Sequence, residues 1–206
     1  MGYGADPTHC LHTCTAGAAR CLAGNHDLGA AERIPLVSFS DIAGVALDWT
    51  RTTLGPVGRN RLDRLSPADP DAEVPLFHAS PRDPVWEYVT TVAQARDALE
   101  AHRVRLTMVG HTHVAVAWHL RPDGAMEEIR GRAGTVLHLD EGRWLVNPGS
   151  VGQPRDGDAR AAWALLDQEA GTLEFRRTPY DVAGAQSAIL RAGLPTPLAT
   201  RLSEGW

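Results

Sequence analysis

The chain has no lysine: all twenty of its basic residues are arginine. With its abundant alanine, this points to coding bias rather than to a mechanism. It has no run of eighteen apolar residues and no charged segment leading into an apolar stretch at its start, so neither a membrane-spanning helix nor a secretory signal is expected. A soluble, cytoplasmic protein is the expectation. Cysteine is scarce, with three residues (Cys10, Cys14, Cys21) clustered near the start, too few and too close for a disulfide framework, so reduced thiols are expected. Cys10 and Cys14 interleave with His9 and His12, but the spacing matches no zinc-finger pattern, and a plain packed helix is the better reading. A formal charge of −5 gives no electrostatic reason to expect nucleic acid or an anionic membrane as a partner.

What is present suits one globular domain. The 206 residues are 43% hydrophobic and 22% charged, enough for a sizeable core. Asp6-Pro7 reads as a helix start, with the helix running to about Ala16. RCLAG reads as a brief buried strand and Phe39 to Leu54 as a helix. EVPLFHAS is expected to form a strand ending at His78, TVAQARDALEAH a helix, and VRLTMVG a strand running into the GHTH turn. Past residue 113 the pattern changes to short, largely antiparallel strands (VAVAWHL, GTVLHL, RWLVNPG, RAAWALLD, TLEFRRTP) with turn residues between them. Helices return at DVAGAQSAILRAG and at the end of the chain.

Three stretches place metal-type ligands at strand ends: GNHD at 24–27, FHAS at 77–80 and GHTH at 110–113. In GHTH a glycine lets the backbone turn sharply, and two histidines flank one residue, so both imidazoles can project from one loop. GNHD offers an amide, an imidazole and a carboxylate in succession: a ligand, a proton donor and an orienting acid. His9, His12, His102, His119 and His138 have no such surroundings and read as structural or surface residues.

In this order the motifs resemble the calcineurin-like metallophosphoesterase family, whose series is Asp-x-His, Gly-Asp, Gly-Asn-His-Asp/Glu, a single His and Gly-His-x-His. GYGADP, HASPRDP and NPGSVGQPR are similar to motifs of its small bacterial branch. The resemblance implies an α/β fold, an α-β-β-α sandwich of two packed mixed β-sheets, as a single domain over 1–206. It also implies hydrolysis of a phosphodiester, phosphomonoester or dinucleoside polyphosphate by two divalent ions, manganese, iron or zinc. Carried over, Asn25, His78 and His111 bind one ion and His113 the other, His26 is the acid and Asp27 orients it. Arg82 and Arg155 are the candidate phosphate-binding residues. The substrate expected is a small phosphorylated molecule.

The family's bridging Gly-Asp stands just before the GYG turn, and Asp-x-His lies on the first strand, so the resemblance places both upstream of Met1. The expectation is an N-terminally truncated fold lacking its first βαβ unit, with weak or single-ion binding and self-association through an exposed sheet edge. A catalytically silent metal-binding or interaction module is the alternative. Ala79, where the family has glycine, is a departure beside His78. A cupin-like histidine site would leave GNHD unexplained.

Overall fold

Asp6 and Pro7 start the first helix as their chemistry dictates: the Asp6 carboxylate accepts the His9 N–H at 3.4 Å, and proline occupies a position whose N–H would have no partner. Helix α1 spans Pro7–Gly17 and α2 spans Asn25–Ala30. Helix α3, Asp41–Asp63, passes the expected stop at Leu54. It is broken there all the same, because Gly55 takes φ 58° and ψ −174° and Pro56 has no N–H to continue the ladder. Leu47, Leu54 and Leu62 of α3 pack with Leu11 and Ala30. Helices α5 (Val182–Arg191) and α6 (Thr196–Glu204) contribute Ile189, Leu198 and Leu202 to a second cluster around Ala46. The brief strand expected in RCLAG does not form. Ala23 is buried but its N–H donates to the Ser66 carbonyl at 2.9 Å, and no strand lies beside it to pair with.

The strands lie elsewhere: β1 (Ala68–Asp69), β2 (Leu76–Phe77), β3 (Leu106–Met108), β4 (Ala115–Leu120), β5 (Met126–Arg130), β6 (Val136–His138), β7 (Arg143–Pro148), β8 (Ala161–Asp167) and β9 (Thr172–Thr178). Six of them form a mixed sheet of order β1-β2-β3-β7-β4-β5, and three an antiparallel sheet of order β6-β9-β8. Leu106, Ala117 and Val146 of the first sheet meet Leu137, Leu173 and Phe175 of the second in one apolar layer. Helix α4, Val92–Ala101, covers the first sheet with Ala95, Ala98 and Leu99 against Trp118 and Leu145. Its start is a Thr91/Gln94 capping box. The sheet-on-sheet sandwich is therefore present as expected, although the smaller sheet is purely antiparallel. Strand β5 had no clear sequence signal, because MEEIR is a charged edge strand without a buried face.

Strands β2, β3 and β7 run parallel, so their carboxyl ends share one edge of the sheet. His78 follows β2, the GHTH turn follows β3, and Asn147 lies at the end of β7. This is where open α/β sheets place their ligands.

The computed structural model describes residues 1–206. The chain forms two compact units, a helical one of Met1–Pro67 with Asp181–Ser203 and a sheet unit of Ala68–Tyr180 with Glu204–Trp206. No helix is long and apolar enough to cross a membrane.

Candidate metal centre

In the sheet unit, the GHTH turn is built at a cost. His111 and His113 both have positive φ, 63° and 62°, a region that side chains other than glycine enter only when the surroundings hold them there. The holding group is Asn147, which is 1% exposed. Its Nδ2 donates to the Gly110 carbonyl at 2.7 Å and to Thr112 Oγ1 at 2.9 Å, and its Oδ1 accepts from Gly149 N–H at 2.9 Å. Gly110 is needed for close approach: its N–H donates to the His78 carbonyl at 3.0 Å, and a Cβ there would sit 3.0 Å from the same oxygen. The turn and the His78 strand end are thereby stitched together.

The result is a pair of imidazoles. His78 Nε2 and His111 Nδ1 lie 3.1 Å apart, with ring centroids 4.9 Å apart. Two nitrogens each about 2.1 Å from one cation, at right angles, stand about 3.0 Å apart, so this spacing suits two ligands of a single ion. The Tyr88 ring packs on His111 at 4.1 Å, a contact no sequence motif announced. His113 turns elsewhere: its Nδ1–H donates to the Gln153 carbonyl at 2.8 Å, which leaves Nε2 as the lone-pair nitrogen, the arrangement metal-bound histidines share. The three histidines thus form no common cluster, and no group of three His, Cys, Asp or Glu side chains able to hold a metal exists in the chain.

Burial pushes the His111 and His113 rings down to about 4, with the positive charge of Arg155 adding to the effect. Both are neutral at pH 7, the form that binds metal. His78 and His111 thus present two ring nitrogens side by side, with His113 turned to the Gln153 carbonyl.

In the helical unit, Asn25, His26 and Asp27 occupy the first turn of α2, all buried. The His26 ring lies 4.2 Å from that of Tyr3 and 5.2 Å from that of Phe39. Gly2, with φ 107°, leaves it room, since a Cβ there would come within 2.5 Å of His26 Nδ1. Asp27 Oδ2 accepts from Gly24 N–H at 2.8 Å, closing the helix start, and its Oδ1 accepts from the Met1 amino group at 2.7 Å. A carboxylate three residues into a helix is well placed to cap it, which the motif reading passed over.

Arg82 is part of an ion-pair network. It pairs with Asp97 at 2.6 Å and Glu87 at 3.6 Å, tying its loop to α4. That loop is closed from within: buried Ser80 accepts from the N–H groups of Arg82 and Asp83, both at 3.1 Å, and donates to Glu87. Ala79 is accommodated there, buried, with its N–H on the Pro84 carbonyl at 3.0 Å. Arg155 stays a candidate, since it follows Gln153, donates to its side chain at 2.9 Å, and acts on both turn histidines. Cys10, Cys14 and Cys21 are free thiols.

Comparison with known proteins gives the family and the fold. The chain is 31% identical, over its full length and 83% of the relative's, to an uncharacterized protein of Methanocaldococcus jannaschii. Its fold superposes on a metallophosphoesterase from Sphaerobacter thermophilus with a TM-score of 0.88 and 34% identity, covering all of this chain and 85% of that one. A hypothetical protein of Pyrococcus horikoshii shares the fold at a TM-score of 0.74 and 18% identity, over all of this chain and 82% of that one. Residues 10–171 match the model of the calcineurin-like phosphoesterase superfamily domain, and with the paired histidines at the parallel strand ends the chain belongs to that superfamily, whose members carry out metal-dependent phosphoester hydrolysis.

Proposed function

We propose that the chain hydrolyses a phosphoester of a small molecule with the help of divalent ions, the reaction of its superfamily. The observation that carries this reading is the His78/His111 pair, 3.1 Å apart, on a turn whose left-handed histidines are locked by Asn147. Strain of this kind persists at sites that do something. His78 and His111 would hold one ion and His113 a second. Bound there, manganese, iron or zinc supplies a water of lowered pKa and charge to balance a developing oxyanion. This chain's own residues do the rest. His26, between the rings of Tyr3 and Phe39, is the proton donor of this reading. Arg155 presents a guanidinium fork to phosphate oxygens. The neutral state of His111 and His113 keeps their nitrogens available across the physiological range. With a single donor identified for the second ion, one ion is held more firmly than the other.

The test is manganese-dependent hydrolysis of bis(p-nitrophenyl) phosphate by the whole chain and by its His78→Ala and His111→Ala variants. Turnover that needs the metal and both histidines supports the reading. Turnover indifferent to chelator and to both substitutions refutes it, and metal binding by the pair without turnover favours the catalytically silent module.

A further inference from the structure

Within the sheet unit, at the far end of the strands that lead to the histidines, lies a cavity of about 360 Å³ that no motif marks. His78 follows the carboxyl end of β2 and the GHTH turn that of β3. The cavity opens instead at the amino ends of the same two strands, lined by the 70–75 loop ahead of β2 and by Val104, Arg105 and Leu106 where β3 begins. Leu139 and the β8–β9 turn close it from the second sheet. The volume is at the small end of the range of small-molecule sites.

Each wall segment is pinned by its backbone. The Pro75 carbonyl accepts the Met108 N–H at 2.9 Å, the Arg105 carbonyl the Trp144 N–H at 2.7 Å, and the Gly171 carbonyl the Leu139 N–H at 2.8 Å. Asp167 Oδ1 accepts the Ala170 N–H at 2.9 Å, which sets the β8–β9 turn. The floor is aliphatic: Leu106 and Leu139 belong to the layer between the sheets, and Val74 and Leu166 pack against that layer while staying only half-buried. The rim is charged, and with both signs. Asp71, Glu73 and Arg105 are exposed, and none of the three enters an ion pair or a side-chain hydrogen bond. A guanidinium and two carboxylates on one rim are thus not spent on holding the fold.

An aliphatic floor under a rim of both charges matches a molecule with an apolar body, a carboxylate and an ammonium. We propose that this cavity binds a free aliphatic α-amino acid, its carboxylate on the Arg105 guanidinium, its ammonium on the carboxylates of Asp71 and Glu73, and its side chain over Val74, Leu106, Leu139 and Leu166. A purely cationic ligand would meet Arg105 unopposed, and a purely anionic one would face both carboxylates. The site lies at the other end of β2 and β3 from the histidines, so its ligand does not compete with a phosphoester there, and the inference stands apart from the phosphoesterase reading.

Binding can be read without turnover. L-leucine is titrated into the whole chain and followed by calorimetry and by saturation transfer to the ligand methyl groups. The expected result is saturable binding at one site, at least tenfold weaker for glycine, which lacks the side chain, for isoamylamine, which lacks the carboxylate, and for 4-methylpentanoate, which lacks the amine. Arg105→Gln and the double variant Asp71→Asn/Glu73→Gln each weaken leucine at least tenfold, and Arg105→Lys restores part of the loss. Arg103→Gln, an exposed charge outside the cavity that pairs with Glu100, changes nothing. All of these positions are exposed, where substitution leaves the fold standing. Isoamylamine binding as tightly as leucine would reduce the rim to an acidic surface that attracts cations, and overturns the proposal. So does the absence of saturable leucine binding, or a leucine affinity that neither charge variant changes.

Discussion

The two units carry their metal-type residues in opposite ways. In the sheet unit, His111 and His113 sit at φ 63° and 62° and are held there by one buried asparagine. In the helical unit, Asn25, His26 and Asp27 occupy an ordinary first helical turn, and Asp27 is spent on the Gly24 N–H and the Met1 amino group. One arrangement stores backbone strain to aim imidazoles, and the other uses a motif residue to build the helix that carries it. Equal prominence in the sequence does not mean equal roles.

The largest effect that would break this contrast is at the pair itself. His111→Ala should lower metal-dependent hydrolysis by at least about 10²-fold, since even residues that merely support a ligand cost 10–100-fold, whereas Asp27→Asn should cost less than tenfold in kcat and about 1 kcal/mol of stability as a lost cap. Steady-state kinetics and melts of both variants check it, and a kcat loss at Asp27 matching that at His111 would erase the distinction.

Asn147→Ala comes next. It strips three hydrogen bonds from a residue 1% exposed, and the expected loss is about 2–3 kcal/mol, seen as a melting point lower by several degrees and as weaker metal affinity. A change in stability with metal affinity untouched would separate Asn147 from the histidines.

How far the sequence reveals this depends on the kind of interaction. The GHTH and FHAS motifs were legible because a strand leading into a glycine turn is a local pattern, and the structure places them at the ends of β3 and β2. The sandwich followed from the family resemblance, and the strands past residue 113 showed only a largely antiparallel half. The pairing of Arg82 with Asp97 was not legible, because it depends on the docking of α4. The strand expected in RCLAG failed for the same reason: local apolar character cannot supply a neighbouring strand. Nor does any pattern announce that both turn histidines are left-handed, or that Asn147 reaches back 37 residues to Gly110.

Strain gives a smaller and sharper test. With the ring removed in both cases, His111→Gly should be more stable than His111→Ala by about 1 kcal/mol, because only glycine occupies the left-handed region freely. Denaturant unfolding measures the difference, and equal stabilities would mean the turn relaxes without strain.

A further test is in pH. His111 and His113 titrate near 4 when folded and near 6.5 when unfolded. Between those values the unfolded chain binds more protons, so metal-free stability should be full above pH 6.5 and fall as pH drops towards 4. Arg155→Gln should raise both midpoints in histidine proton spectra and flatten this fall.

The central claim is that the sheet unit's paired histidines hold a divalent ion. Its most direct test is a manganese titration followed in the histidine ring resonances of the whole chain. Paramagnetic broadening should strike His78 and His111 first, at substoichiometric metal, and leave His102, His119 and His138 sharp. Broadening that begins at His9 and His12 on α1, or that spares His78 and His111 at equimolar metal, would contradict the account.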